Sequence, residues 1–323
     1  MRTYLGVDGG GSKTAFLLID ESGRVLASHT EGPAYYLQIG LDEMRAMLAR
    51  GIGTTLRMGG VAAGALSFAF LGLPAYGEDS QLLPALDSAA SPLLQAAQYR
   101  CGNDAVCGWA GALACQDGIN VVAGTGSIAY GEFEGRAARA GGWGELFSDE
   151  GSAYWVAREG LKLFSRMSDG RAPRGALYDI MRRHFGLKAD LDLCAAIYGE
   201  TALRNELAGL AKLVAEAALA GDAGAAAVFT AAAGELAQIV AAVQRGLGIP
   251  DGVPVTVSYS GGLFQQRELL LPPLQTSLVR EGGMYRFAEP RLIPVAGAAL
   301  YAAKLSGKPL DADGIDSLQR HFS

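Results

Sequence analysis

Metal-binding and redox side chains are scarce in this sequence. Its 323 residues include three histidines (His29, His184, His321) and four cysteines (Cys101, Cys107, Cys115, Cys194), and no two cysteines form a CxxC pair. That spacing argues against a Cys/His zinc site and suits reduced cytosolic thiols better than disulfides. Basic residues are in short supply too. Lys and Arg total 27 against 33 Asp and Glu, for a net charge of −6. No basic surface is therefore predicted for nucleic acid or acidic lipid. Long apolar runs are also missing: no stretch of about 18 uncharged apolar residues occurs. The Ala-rich segment from Ala208 to Ala242 is broken by Lys212, Glu216, Asp222 and Glu235 at helix-like intervals, which reads as soluble helices. The N-terminus runs into "VDGGGSK" without the charged and apolar regions of a signal peptide. These absences predict a cytoplasmic protein with neither a nucleic-acid nor a membrane partner.

What is abundant is glycine, with 45 residues, about twice ordinary usage. No collagen period and no Gly/Ser linker accompanies it, so sharp turns and close backbone approach explain it better. The length favours two domains over one.

The pattern along the chain alternates. Thr3 to Asp8, Lys13 to Ile19 and Arg24 to Thr30 read as three strands. Leu41, Met44, Met47, Leu48 and Ile52 have helical spacing. "GALSFAFLG" reads as a buried strand ending at Gly72, Ala96 to Cys101 as a short strand, and Ala105 to Ala114 as a helix. At Ile119 the opening pattern restarts, with an apolar strand, a Gly-rich hairpin, an alternating strand and a charged turn. This internal repeat favours duplicated α/β domains. The stretch from about Gly151 to Leu247 is nearly all helical. "VPVTVSYSGGLF" returns to strand plus glycine turn, and "LIPVAGAALYAAKL" is a helix with small residues on one side.

The glycine turns are phosphate-site candidates. In "GVDGGGSKT", Asp8 ends a strand and glycines follow; glycine at φ > 0 can turn successive amides inward as an anion nest. A Walker A loop does not fit: Gly6 and Gly11 have its spacing, but Ser12 stands where Lys is required and no helix follows. "GTGSIA" matches the GxGxxA form of the dinucleotide fingerprint, yet it continues as a hairpin instead of opening a helix. Two strand–Gly–strand hairpins instead predict two phosphate-binding loops, one per domain, with Asp8 placed to hold Mg²⁺ through water.

With these motifs in view, the chain resembles the BadF/BadG/BcrA/BcrD ATPase family of the sugar kinase, actin and Hsp70 superfamily. Within it, the resemblance is to N-acetylglucosamine kinases and their bacterial relatives. The motifs that carry it are "GVDGGGSKT", "GNDAVCGWAGAL", "VVAGTGSIA", "GGWGELFSDEGSAYW", "SYSGGLF" and "VAGAALYAAKL", spread over residues 6–304. The resemblance implies an α/β protein of two ribonuclease-H-like (actin-like ATPase) domains with a nucleotide cleft between them. The first would take residues 1–116 with a returning 291–323, the second 117–290 with a helical insertion. It implies ATP and Mg²⁺ as cofactors, a small sugar as substrate, and a homodimer.

The same resemblance distributes roles. Asp104 would be the base that accepts the proton of a sugar 6-hydroxyl; without it, Asp104 reads as a helix N-cap. Gly10, Gly11, Ser12, Lys13, Thr125 and Gly126 would contact phosphates, and Gly261 and Gly262 the adenosine. Gly142, Trp143 and Asp149 would bind the sugar, with Ser127 beside them; a Trp face stacks on a pyranose and a carboxylate accepts hydroxyls. Glu145 and Glu150 receive no role. Tyr35 stands where the family's sugar site usually has Asn, which leaves N-acetylglucosamine, glucosamine and other hexoses open. An ATPase activator of a 2-hydroxyacyl-CoA dehydratase or benzoyl-CoA reductase is the alternative of another class. It would use cysteines to hold an iron–sulfur cluster, whereas Cys101, Cys107 and Cys115 read as small buried hydrophobes.

Overall fold

The computed structural model describes residues 1–199 and 204–322. The chain divides into two compact units, Met1–Gly118 with Ala288–Ser323, and Ile119–Phe287. The first contains β1 (Thr3–Gly9), β2 (Thr14–Asp20), β3 (Val25–Glu31), α1 (Tyr36–Ile39), α2 (Leu41–Met58), β4 (Phe68–Leu73), α3 (Leu83–Asp87), β5 (Tyr99–Asn103) and α4 (Ala105–Leu113). The second runs through β6 (Gly118–Ala123), β7 (Ser127–Phe133), β8 (Arg136–Gly141), α5 (Ala153–Ser168), α6 (Ala176–Phe185), α7 (Asp192–Tyr198), α8 (Arg204–Gly209), α9 (Ala211–Leu219), α10 (Ala223–Gly246), β9 (Val255–Ser260), α11 (Arg267–Arg280) and β10 (Tyr285–Phe287). The chain then returns to the first unit as α12 (Pro294–Leu305) and α13 (Ala312–Phe322).

Each unit is built on a five-stranded sheet, ordered β3-β2-β1-β4-β5 in one and β8-β7-β6-β9-β10 in the other. In the first, β1 pairs antiparallel with β2 and parallel with β4. In the second, β6 and β9 run parallel and β7 and β8 antiparallel. The strand order thus repeats, as the sequence repeat suggested.

Strand β1 is buried on both faces, with Tyr4, Leu5 and Val7 inaccessible. On one face, Leu5, Val7, Phe16 and Leu18 pack with Met44, Met47, Leu48, Ile52 and Leu56 of α2, the helical spacing read from sequence. On the other, α12 comes so close that a Cβ on Gly6 would lie 2.3 Å from the Ala299 amide nitrogen. Helices α12 and α4 touch backbone to backbone: a Cβ on Gly297 would lie 2.1 Å from the Gly111 nitrogen. The small residues of "VAGAALYAAKL" serve this contact.

In the second unit, α10 is long and apolar enough to cross a membrane by composition. Here it is a core helix, burying Phe229, Leu236, Val240 and Val243 in the unit's hydrophobic cluster. Asp222 caps it, accepting the Gly224 and Ala225 amides at 2.9 and 3.1 Å. One expectation shifts in detail. The strand read over Ala96 to Cys101 begins as a 3₁₀ turn, Ala96–Gln98, before β5. Helix α11 forms despite Pro272 and Pro273 in its interior, burying Leu270, Leu274 and Leu278.

Candidate active site

In the first hairpin, β1 and β2 pair as far as Gly9 and Thr14, and the Gly10 amide donates to the Lys13 carbonyl at 3.0 Å. The Ala34 amide donates to the Gly10 carbonyl at 3.0 Å, and the Thr14 hydroxyl to the Gly32 carbonyl at 2.8 Å. Gly11, Ser12 and Lys13 are exposed at the tip. The expected nest from glycines at positive φ is corrected here, because Gly9, Gly10 and Gly11 all avoid the left-handed region. Glycine is needed for space instead. A Cβ on Gly9 would lie 2.8 Å from the Gly72 carbonyl oxygen, whereas one on Gly11 would meet nothing.

Behind this tip lie two acids at strand ends. Burial and then the Asp104 carboxylate push the Asp8 carboxyl up to about 7, against the Cys107 thiol hydrogen bond and the Lys13 charge. Asp104 stands at the N-cap position of α4 but makes no side-chain cap bond. Asn103 does that work, its Oδ1 accepting the Ala105 amide at 3.0 Å. The capping role read for Asp104 thus belongs to its neighbour. Helix α4 reaches the acids because β4 carries Gly72, where a Cβ would lie 2.2 Å from the Cys107 Sγ. Cys101 and Cys107 are buried, and burial raises both thiols, Cys101 to about 12. They are packing residues, which removes two of the three cysteines on which the iron–sulfur alternative rests.

In the second hairpin, the Gly124 amide donates to the Gly126 carbonyl at 2.9 Å, and the Ala153 amide at the head of α5 donates to the Gly124 carbonyl at 2.9 Å. Gly124 and Gly126 also avoid positive φ. Ser127 opens β7; its amide donates to Asp149 Oδ1 at 3.3 Å and its hydroxyl to the Glu150 carbonyl at 2.6 Å. The first bond holds the carboxylate of Asp149 and the second the backbone just after it; Asp149 is 2% exposed and adopts φ +61°, a conformation that costs a non-glycine residue on the order of 1 kcal/mol or more. Burial raises its carboxyl, while Arg204 and the Ser127 amide oppose that rise. Gly142 sits at φ +70° with a would-be Cβ 2.9 Å from Ile128. Trp143 is 68% exposed, so it is not the core aromatic it could have been. Leu146 and Phe147 of the same loop are exposed as well.

Gly261 follows β9 at φ +102°, and its would-be Cβ lies 2.4 Å from the Ala123 carbonyl oxygen. Only glycine fits there. Gly262 opens a 3₁₀ turn over Gly262–Gln265. Gly124, Thr125, Gly262, Gln265, Asn205 and Lys212 are among the residues lining a cavity of about 440 Å³ within this unit, inside the range of small-molecule sites. Tyr35 belongs to the first unit, before α1, partly buried against that unit's core.

Sequence reasoning missed Arg204, Asn205 and Lys212. Arg204 pairs with Asp149 and, at 3.1 Å, with Glu145; the Thr125 hydroxyl donates to Asn205 Oδ1 at 3.2 Å. Their only signal was polarity in a helical stretch, which any solvent-facing residue shares. Among the described residues, no group of three or more His, Cys, Asp or Glu could hold a metal.

The double-sheet architecture is that of the sugar-kinase class of actin-like ATPases. A ROK family glucokinase from Streptomyces griseus, solved with glucose and AMPPNP, superposes with a TM-score of 0.56 at 18% identity, covering 94% of this chain and 99% of that one. A candidate N-acetylglucosamine kinase structure from Chromobacterium violaceum superposes at 0.71 with 26% identity, over 93% of this chain and 98% of that one. The sequence profile of the BadF/BadG/BcrA/BcrD ATPase family matches residues 5–302, and the chain belongs to that family. Similar characterised proteins are the N-acetyl-D-glucosamine kinase of Dictyostelium discoideum, 27% identical over 93% of this chain and 97% of its own length, and the N-acetylmuramic acid/N-acetylglucosamine kinase of Clostridium acetobutylicum, 30% identical over 82% and 86%.

Proposed function

We propose that this protein is a cytoplasmic sugar kinase that transfers the γ-phosphoryl group of ATP to the 6-hydroxyl of an amino sugar, N-acetylglucosamine first among them. The observation that carries the reading is the acid pair: Asp104, relieved of capping by Asn103, beside an Asp8 whose carboxyl is raised by burial and by Asp104. Phosphoryl transfer needs an acceptor base, charge neutralisation and positioned phosphates. Asp104 accepts the hydroxyl proton. Asp8 offers a hard oxygen ligand with one further carboxylate nearby, a donor set that suits Mg²⁺, which keeps several waters and takes one or two carboxylates plus phosphates. Bound there, the ion would neutralise phosphate charge.

Gly10, Gly11, Ser12 and Lys13 line one exposed phosphate loop; Thr125 and Gly126 form the other. The cavity bordered by Gly262 takes the adenosine, with Gly261 letting strand β9 pass close to Ala123. Asp149, fixed by Ser127, accepts sugar hydroxyls, Trp143 covers a sugar face, and Gly142 permits the turn between them. Tyr35 contributes a phenol where the family resemblance leads us to expect an amide, so the hexose is to be decided by assay. Coupled ADP-release measurements over N-acetylglucosamine, N-acetylmuramic acid, glucosamine, N-acetylmannosamine and glucose test the reading. N-acetylglucosamine should raise ADP release well above background, and silence with every sugar would overturn it.

A further inference from the structure

The side chain that binds the second hairpin together is Arg204, to which the kinase reading assigns nothing. Its guanidinium pairs with Asp149 and reaches Glu145 through Nε at 3.1 Å. A Cβ on Gly126 would lie 2.8 Å from its terminal nitrogen and 2.7 Å from Asp149 Oδ2. The cation thus rests against the backbone of the very glycine turn read as a phosphate loop, and glycine there leaves room for it. The next residue, Asn205, takes the Thr125 hydroxyl and lines the 440 Å³ cavity. The Arg204 side chain is 33% exposed, so a solute can reach it.

We propose that Arg204 is a phosphate-binding residue of the second unit, held by Asp149 and Glu145 until a nucleotide phosphate replaces them. Guanidinium presents a planar fork of donors that matches phosphate oxygens, and it exchanges one anion for another at little cost. Two carboxylates hold a single cation here, so the partner of higher charge density at the hairpin draws it away. The exchange leaves Asp149 free to accept sugar hydroxyls. The inference rests on the kinase reading.

Titration calorimetry with Mg·ATP and with adenosine, on the wild-type chain and on Arg204→Gln and Arg204→Lys, tests it. Expected is an ATP dissociation constant raised about ten- to a hundredfold in Arg204→Gln, a smaller rise in Arg204→Lys, and adenosine affinity unchanged in both. Melting curves confirm that the variants fold. ATP and adenosine affinities shifting together, or neither shifting, would overturn the role of Arg204 while leaving the kinase reading in place. Failure of the wild-type chain to bind either ligand would overturn the kinase reading and the inference with it.

Discussion

The two units lay their strands in the same order, β3-β2-β1-β4-β5 and β8-β7-β6-β9-β10, and each carries a glycine hairpin between its first two strands. They equip that hairpin differently. In the first unit the tip is open, with Ser12 and Lys13 exposed, and acids stand at the ends of two parallel strands, Asp8 on β1 and Asp104 after β5. In the second unit β6 ends in Val122 and Ala123, and the acid arrives from far along the chain as Asp149. Its hairpin is covered by Arg204 and Asn205. Duplicated topology delivers a place, the carboxyl end of a parallel pair, where α/β sheets tend to bind ligands. What that place does depends on which side chains the two copies put there.

The largest expected effect falls on the acid given the base role. Asp104→Asn should lower sugar phosphorylation by about 10² to 10⁴, with ATP affinity kept; coupled ADP release and calorimetry measure the two. Near-normal turnover would remove Asp104 from the base role.

Asp8 gives the first unit a pH response of its own. Its folded carboxyl sits at about 7 against an ordinary 3.8, so the native state binds the proton more tightly than the unfolded chain. The associated stability is complete below about pH 4 and is lost as pH rises to about 7. For the protein without metal or nucleotide, Tm should fall across that window by several degrees more than in Asp8→Asn, whose Tm at pH 8 should exceed wild type. Parallel pH profiles of the two would dismiss the raised carboxyl.

The hairpin glycines give a smaller contrast. In Gly126→Ala the new methyl displaces the buried Asp149 carboxylate and the Arg204 side-chain end, so the KM for sugar should rise about tenfold and Tm should fall by a few degrees. Gly11→Ala meets nothing in the protein and should leave Tm unchanged, so any loss it causes in ATP affinity measures how closely phosphate approaches. Equal behaviour of the two variants would erase the distinction between the hairpins. Smallest of all, exposed Trp143 should give a threefold to tenfold rise in sugar KM on change to Ala, roughly the worth of one aromatic contact, with Tm constant.

Much of this was legible along the chain. The α2 stripe of Met44, Met47, Leu48 and Ile52, the strand–Gly–strand pattern and its repetition all arise from neighbours in sequence. Helix α11 was hidden by Pro272 and Pro273, which local propensity reads as breakers, while burial of Leu270, Leu274 and Leu278 carries the helix across them. The glycines were legible as turns but for the wrong reason. Gly9 and Gly126 answer to crowding by Gly72, Asp149 and Arg204, and such distant contacts leave no trace in a local motif.

The sequence by itself determined the duplicated α/β pattern, the two hairpins and the residue types they offer, because strand periodicity and turn chemistry are local. Only the tertiary structure decided that Asn103 caps α4 and leaves Asp104 to other work, that burial and a neighbouring acid raise Asp8, and that Arg204 crosses to Asp149. Each of these depends on desolvation or on charge over a few ångströms of space, between residues as far apart in the chain as 149 and 204.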